Sequence, residues 1–176
     1  SDGICHLYID ESANIENSLK ICLDSKAQYP SACNSVETIL INKNIANEFL
    51  KKLYSLFKEN DIKMNGDEEV KKILSDIGIV KDWHKEYGDK EVSLKIVDNV
   101  EDAYKHINKF GSHHTDSVIS ENKENIEKFM TFVDSANVYS NISTRFSDGF
   151  RYGFGAEVGI STNKTHARGP VGLEGL

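Results

Sequence analysis

The alternation of β-branched runs with amphipathic helical segments constrains this chain more than any other feature. Short strand-like runs occupy 4–9, 36–42, 92–97, 116–120 and 136–140, with 61–65 a weaker candidate. Between them apolar residues recur at helical spacing: Ile15, Leu19, Cys22 and Leu23, then Ile45, Phe49, Leu50, Leu53, Leu56 and Phe57. The same spacing returns at Val70, Ile73, Leu74 and Ile77, at Val100, Ala103, Tyr104, Ile107 and Phe110, and at Ile126, Phe129, Met130 and Val133. Strand followed by helix, repeated, builds βαβ units. The expected fold is therefore α/β, a mostly parallel sheet flanked by helices, with ligands at the carboxyl ends of the strands.

At 176 residues, 39% of them hydrophobic, the chain is long enough for one domain with a substantial core. Its pattern changes beyond Asn141. Glycines stand at 149, 153, 155, 159, 169, 172 and 175, with Pro170 the second of two prolines. Residues 141–176 thus read as loop-rich, a place where substrate contacts gather on an α/β scaffold, and 1–12 as a connecting segment.

The formal charge is −7, and the 21 Lys and Arg residues are scattered rather than clustered, which argues against nucleic acid as a partner. No apolar run approaches the roughly 20 residues that span a bilayer, and the first residues carry no signal-peptide pattern. A cytoplasmic protein with no membrane partner is expected. The absence of an initiator methionine suggests a piece of something longer. Three cysteines, Cys5, Cys22 and Cys33, show no CxxC spacing and fit reduced thiols.

Cys33 lies between Pro30 and the strand-like run 36–42, so it belongs to a turn. A thiol there is reachable, but nucleophilicity needs amides or positive charge to raise its thiolate fraction, and an inert thiol is the default local reading. Cys22 and Cys5 read as core. The stretch Gly153–Gly159 is spaced GxGxxxG and is rejected as a dinucleotide turn, since no strand precedes it. The adjacent His113 and His114 lack a carboxylate or thiol at ligand spacing, so no metal is expected. Glu86 stands in a charged loop and by itself signals nothing.

Several blocks carry a resemblance: "GICHLYIDESA" at 3–13, "PSACNSVETILINKNIA" at 30–46, "VSLKIVDNVEDAYKHI" at 92–107, "NISTRFSDGF" at 141–150 and "GFGAEVGISTNKTHARGPVGLEGL" at 153–176. Together they resemble the C-terminal half of the gamma-glutamyl phosphate reductases, within the aldehyde dehydrogenase superfamily. The likeness covers essentially the whole chain. It implies an aldehyde dehydrogenase-like catalytic domain over 1–176, with the dinucleotide-binding domain absent and the fragment alone inactive. Cys33 would be the nucleophile and the backbone N–H of Cys33 or Asn34 the oxyanion donor. Glu86 would steady bound NADPH. Ser143, Thr144, Arg145, Gly159, Ser161 and Thr162 would contact L-glutamyl 5-phosphate, which is reduced through a cysteine thioester to glutamate 5-semialdehyde in proline biosynthesis.

The resemblance further implies a homo-oligomeric full-length enzyme, with glutamate 5-kinase a candidate partner. A bifunctional kinase–reductase parent shares the same motifs. A silent oligomerisation or regulatory module of the same fold is the reading from another class. Two departures stand out. Tyr29 replaces a basic residue in the Q-R-P turn, and His113 replaces a small or amide residue.

Overall fold

A computed structural model describes residues 3–153, 157–164 and 168–172. The chain runs β1 (Cys5–Ile9), α1 (Ile15–Ala27), β2 (Val36–Asn42), α2 (Ala46–Glu59), β3 (Lys63–Gly66), α3 (Glu68–Ile73), β4 (Gly78–Ile79) and β5 (Glu91–Val97). It continues through α4 (Val100–Phe110), β6 (Thr115–Ile119), α5 (Lys123–Phe132) and β7 (Asn137–Ser140). These strands form one seven-stranded sheet in the order β4-β3-β5-β2-β1-β6-β7, with parallel pairing throughout.

Both faces of the central strands are buried, and the side chains alternate between two cores. Leu7, Ile9, Ile39 and Ile41 pack with Leu19, Phe49, Leu53 and Phe57 of α1 and α2. Tyr8, Leu40 and Val118 point the other way, onto Val100, Ala103 and Ile107 of α4 and Phe129 of α5. This is why the strands read as near-continuous apolar runs. The helices start where short polar side chains satisfy first-turn amides. Asn14, Asp67, Asn99 and Asn122 accept from the backbone N–H three residues on, opening α1, α3, α4 and α5.

Two expectations are corrected. The helix expected over Val70–Ile77 ends at Ile73, because Leu74 leaves helical geometry at φ −120°, ψ 87°. Ile77 is buried from an extended segment leading into β4, so residues in two conformations mimic one helical face. The tail from 141 is less loop-like than its glycines suggest. Asn141, at φ 58°, reverses the chain, which returns across β6 with Ser117 Oγ donating to the Ile142 carbonyl at 2.7 Å. A 3-10 turn (Thr144–Ser147) and α6 (Gly149–Tyr152) follow, then a two-stranded antiparallel hairpin of β8 (Glu157–Ser161) and β9 (Gly169–Gly172). The carboxyl ends of the strands, where ligands were expected, are filled at β1 and β6. The carboxyl ends of β1 and β6 hold a closed polar knot, in which the buried Asp10 carboxylate accepts from Tyr8, Ser12, Ser120 and Asn125. Cys33 lies at the opposite rim, just before β2.

Candidate active site

The amino ends of β1, β2, β5 and β6 share one rim, and the connections entering those strands meet there. Cys33 is half-buried in a turn closed by Ala32 N donating to the Tyr29 carbonyl at 3.2 Å and Ser35 N to the Ala32 carbonyl at 2.9 Å. Those bonds use the amides on either side of Cys33 and Asn34.

Beneath the turn lies Cys5, fully buried, whose Sγ donates to the Cys33 carbonyl at 3.3 Å and stands 3.6 Å from His114 Nδ1. Burial, with the Asp116 carboxylate nearby, pushes the Cys5 thiol well up, so it is inert as a nucleophile. Burial holds His114 down at about 4, so its imidazole is neutral, and Nδ1 also meets Thr115 Oγ1 at 2.9 Å. Cys22 is buried among apolar side chains, and desolvation raises its thiol out of useful range. Of the three thiols, Cys33 is the accessible one.

Arg145 clamps the turn from the side. It is buried, with Nε donating to Gln28 Oε1 at 2.7 Å, Nη1 to Asn34 Oδ1, and Nη2 to Asp148 Oδ2 at 3.0 Å. The guanidinium also stands 5.7 Å from the ring of the exposed Tyr29. Ser143 and Thr144 are held at the end of α1, where Ser25 Oγ donates to Ser143 Oγ at 3.0 Å and accepts from Thr144 N at 3.3 Å. Three of the six residues expected to contact substrate are therefore buried, Ser143 at 3%, Thr144 at 0% and Arg145 at 3% exposure; Arg145 braces the Cys33 turn, and Ser143 and Thr144 pack on the end of α1 beside it. Of these three side chains, only Thr144 has a buried polar atom, Oγ1, with no hydrogen-bond partner among the described residues.

Glu86 reaches the same turn by another route. Its Oε1 accepts from Gly3 N at 2.9 Å, and Gly3 packs directly on the Cys33 backbone. The next two residues, Tyr87 and Gly88, donate their amides to Glu37 at 3.1 and 3.4 Å. Glu37 is buried and paired with the equally buried Lys26 Nζ at 3.1 Å. Burial raises Glu37 to about 7, against the pull of Lys26, and lowers Lys26 against the pull of Glu37.

The other expected residues are held by a different anchor. Gly159, Ser161 and Thr162 belong to or follow β8, and the hairpin is anchored at Asp134, which takes Lys164 and Arg168 at 2.8 Å each. His113 adopts φ 60°, a left-handed conformation that glycine and asparagine enter more readily than histidine. Its ring meets the Asp134 carbonyl at 2.5 Å. Among the described residues no group of three or more His, Cys, Asp or Glu side chains gathers to hold a metal, and no helix is long and apolar enough to cross a membrane. The motif Gly153–Gly159 falls partly outside the described residues.

Lys26, Glu37, Gln28, Gly3 and Cys5 were not singled out as site residues. Lys26 and Glu37 carried one signal, a charge within an otherwise apolar periodic face or run, which predicts a buried pair.

The sequence is 84% identical over 178 aligned residues to the gamma-glutamyl phosphate reductase of Brachyspira hyodysenteriae, covering 100% of this chain and 41% of that protein. Against the gamma-glutamyl phosphate reductase of Prochlorococcus marinus (strain MIT 9312) the identity is 55%, with the same two coverages. The crystal structure of gamma-glutamyl phosphate reductase from Thermotoga maritima is 40% identical and superposes with a TM-score of 0.96, over 99% of this chain and 43% of that one. An acetylating aldehyde dehydrogenase from Geobacillus thermoglucosidasius shares the fold alone, at 18% identity and a TM-score of 0.64, over 82% of this chain and 41% of that one. No family model matches. The seven-stranded parallel sheet flanked by helices is an aldehyde dehydrogenase-like fold. Within that class the chain belongs to the gamma-glutamyl phosphate reductases, and it spans 41% of the length of the curated relatives it matches.

Proposed function

We propose that this chain is the thiol-bearing part of a reductase acting on L-glutamyl 5-phosphate, with Cys33 as the nucleophile. The carrying observation is that Cys33 is the one accessible thiol and stands in a turn braced by Arg145 through Asn34 and tied through Gly3 to Glu86. The Cys33 thiolate attacks the acyl carbon, the C–O bond to phosphate breaks, and a thioester forms on the protein. The Asn34 amide, outside the two bonds that close the turn, donates to the developing oxyanion. Arg145 keeps the turn in place through Gln28 and Asn34, and Ser143 and Thr144 hold its flank at the end of α1. Gly159, Ser161 and Thr162 are assigned to the substrate's far end on resemblance alone.

The residues present fit a nicotinamide cofactor at one point. Glu86 is an exposed carboxylate fixed beside the thiol turn, suited to accept from ribose hydroxyls. When bound, NADPH supplies the hydride that releases glutamate 5-semialdehyde from Cys33. Most of its binding surface is assigned to a dinucleotide-binding domain in the part of the relatives this chain does not span, so the chain alone should not turn over. A cytoplasmic, homo-oligomeric parent serving proline biosynthesis, with glutamate 5-kinase as the supplier of its labile substrate, completes the reading.

The test is phosphate-dependent NADP reduction by glutamate 5-semialdehyde in the full-length protein carrying this sequence. Cys33→Ala should lower the rate by about a thousandfold or more, while Cys22→Ala keeps it. A Cys33→Ala enzyme with an undiminished rate would end the proposal.

A further inference from the structure

Glu86 is exposed and its loop is charged, yet the loop does not depend on surface contacts for its position. Glu37 Oε2 accepts from Tyr87 N, its Oε1 from Gly88 N, and the same carboxylate is pinned from below by Lys26. Lys26 is 0% and Glu37 1% exposed. A buried ion pair is costly to desolvate, and an apolar pair of similar volume would serve the core at least as well. Its retention calls for a specific use of the charge. Glu37 is four residues past Cys33 and begins inside β2, so its carboxylate is rigidly placed relative to the thiol. A second link closes the circuit, from Glu86 Oε1 to Gly3 N and from Gly3 to the Cys33 backbone.

Building on the function proposed above, we propose that Glu37 and Lys26 are positioning residues: the buried pair holds the Tyr87–Gly88 amides and thereby sets the cofactor-facing Glu86 at a fixed distance from Cys33. Two anchors are needed because a single bond from Glu86 to Gly3 leaves the loop free to pivot about it. Gly88, at φ 61°, supplies the backbone reversal that aims consecutive amides at one carboxylate.

The experiment uses the full-length reductase carrying this sequence and compares Glu37→Gln and Gly88→Pro with wild type. Glu37→Gln keeps the shape but loses the charge and one acceptor oxygen. Gly88→Pro removes one tethering amide and, because proline fixes φ at about −65°, also abolishes the reversal that Gly88 makes at φ 61°; the exposed loop is untethered while the buried pair is left unsubstituted, so it reports even if Glu37→Gln does not fold. Both should raise the KM for NADPH about tenfold while kcat falls less and the KM for the acyl substrate stays put. Independently of turnover, hydrogen exchange at the Tyr87 amide should speed up about tenfold in both variants, with β2 amides still protected. An unchanged KM for NADPH with unchanged exchange overturns the inference. So does a uniform loss in which both KM values and β2 protection move together, since that is general loosening. A Cys33→Ala enzyme that keeps its rate would instead remove the proposed chemistry, while the exchange result would stand on its own.

Discussion

Gly3 lies flat against the peptide that follows Cys33: a Cβ built on Gly3 would sit 1.8 Å from the Cys33 carbonyl oxygen and 2.6 Å from its Cα. Both obstructing atoms are backbone, so no side chain can swing aside. Gly3→Ala must displace the turn that carries the thiol, along with the Gly3 amide that Glu86 accepts from. A shift of about 1 Å at a reacting group costs roughly a hundredfold. Steady-state kinetics on the full-length enzyme should show a loss of that order in kcat, with the fold retained by circular dichroism.

Arg145 spends its guanidinium on Gln28, Asn34 and Asp148, a set no lysine reproduces. Arg145→Lys should destabilise the protein by about 2–3 kcal/mol in urea unfolding, because polar groups at the end of α1 and in the turn are left unpaired. Alkylation of Cys33 should become faster or slower than in wild type as the turn loses its brace. An unchanged rate would mean Arg145 acts on substrate rather than through Asn34.

Acid should weaken the fold earlier than its carboxylates alone would. Burial holds His106 at about 2 and His114 at about 4, both far below the usual 6.5. Between those values and 6.5 the unfolded chain binds protons that the folded chain refuses. Stability is then fully present above about 6.5 and falls as pH drops toward 4, by up to about 1.4 kcal/mol per pH unit for each proton. His106 sits among His6, Trp83 and Phe110 rings at 4.6–5.5 Å, so His106→Phe should flatten that slope in denaturation series from pH 7 to pH 5.

The Asp10 knot makes a contrasting prediction. Burial would raise this carboxyl, but hydrogen bonds from Ser120, Ser12, Asn125 and Tyr8 outweigh it and hold Asp10 below its usual value. Asp10→Asn replaces an acceptor with a donor facing hydroxyl and amide groups. It should cost about 2 kcal/mol while Cys33, at the other rim, keeps its alkylation rate.

Particular residues show how much could be read in advance. Ile39, Leu40 and Ile41 announce a strand, because that signal is local; the Asn and Asp caps before four helices are equally local but were found only in the structure. The same locality misleads at Ile77, where an extended residue fills a helical slot in the pattern.

Cys33, Asn34 and Glu86 were expected at the site through the resemblance alone, and Arg145 was expected as a substrate contact, not as the brace its bonds make it. Its partners Gln28, Asn34 and Asp148 lie up to 117 positions away, and nothing in a string of residues tells a guanidinium whether it will face solvent or a turn.

By itself, then, the order of residues determined the alternating elements, the caps and the thiol's place in a turn before β2, since each follows from neighbours within a few positions. Tertiary structure alone decided that Cys33 and Glu86 meet at one rim, with Gly3, Glu37 and Lys26 linking the segments that carry them. Those contacts join segments brought together when a parallel sheet aligns the amino ends of distant strands.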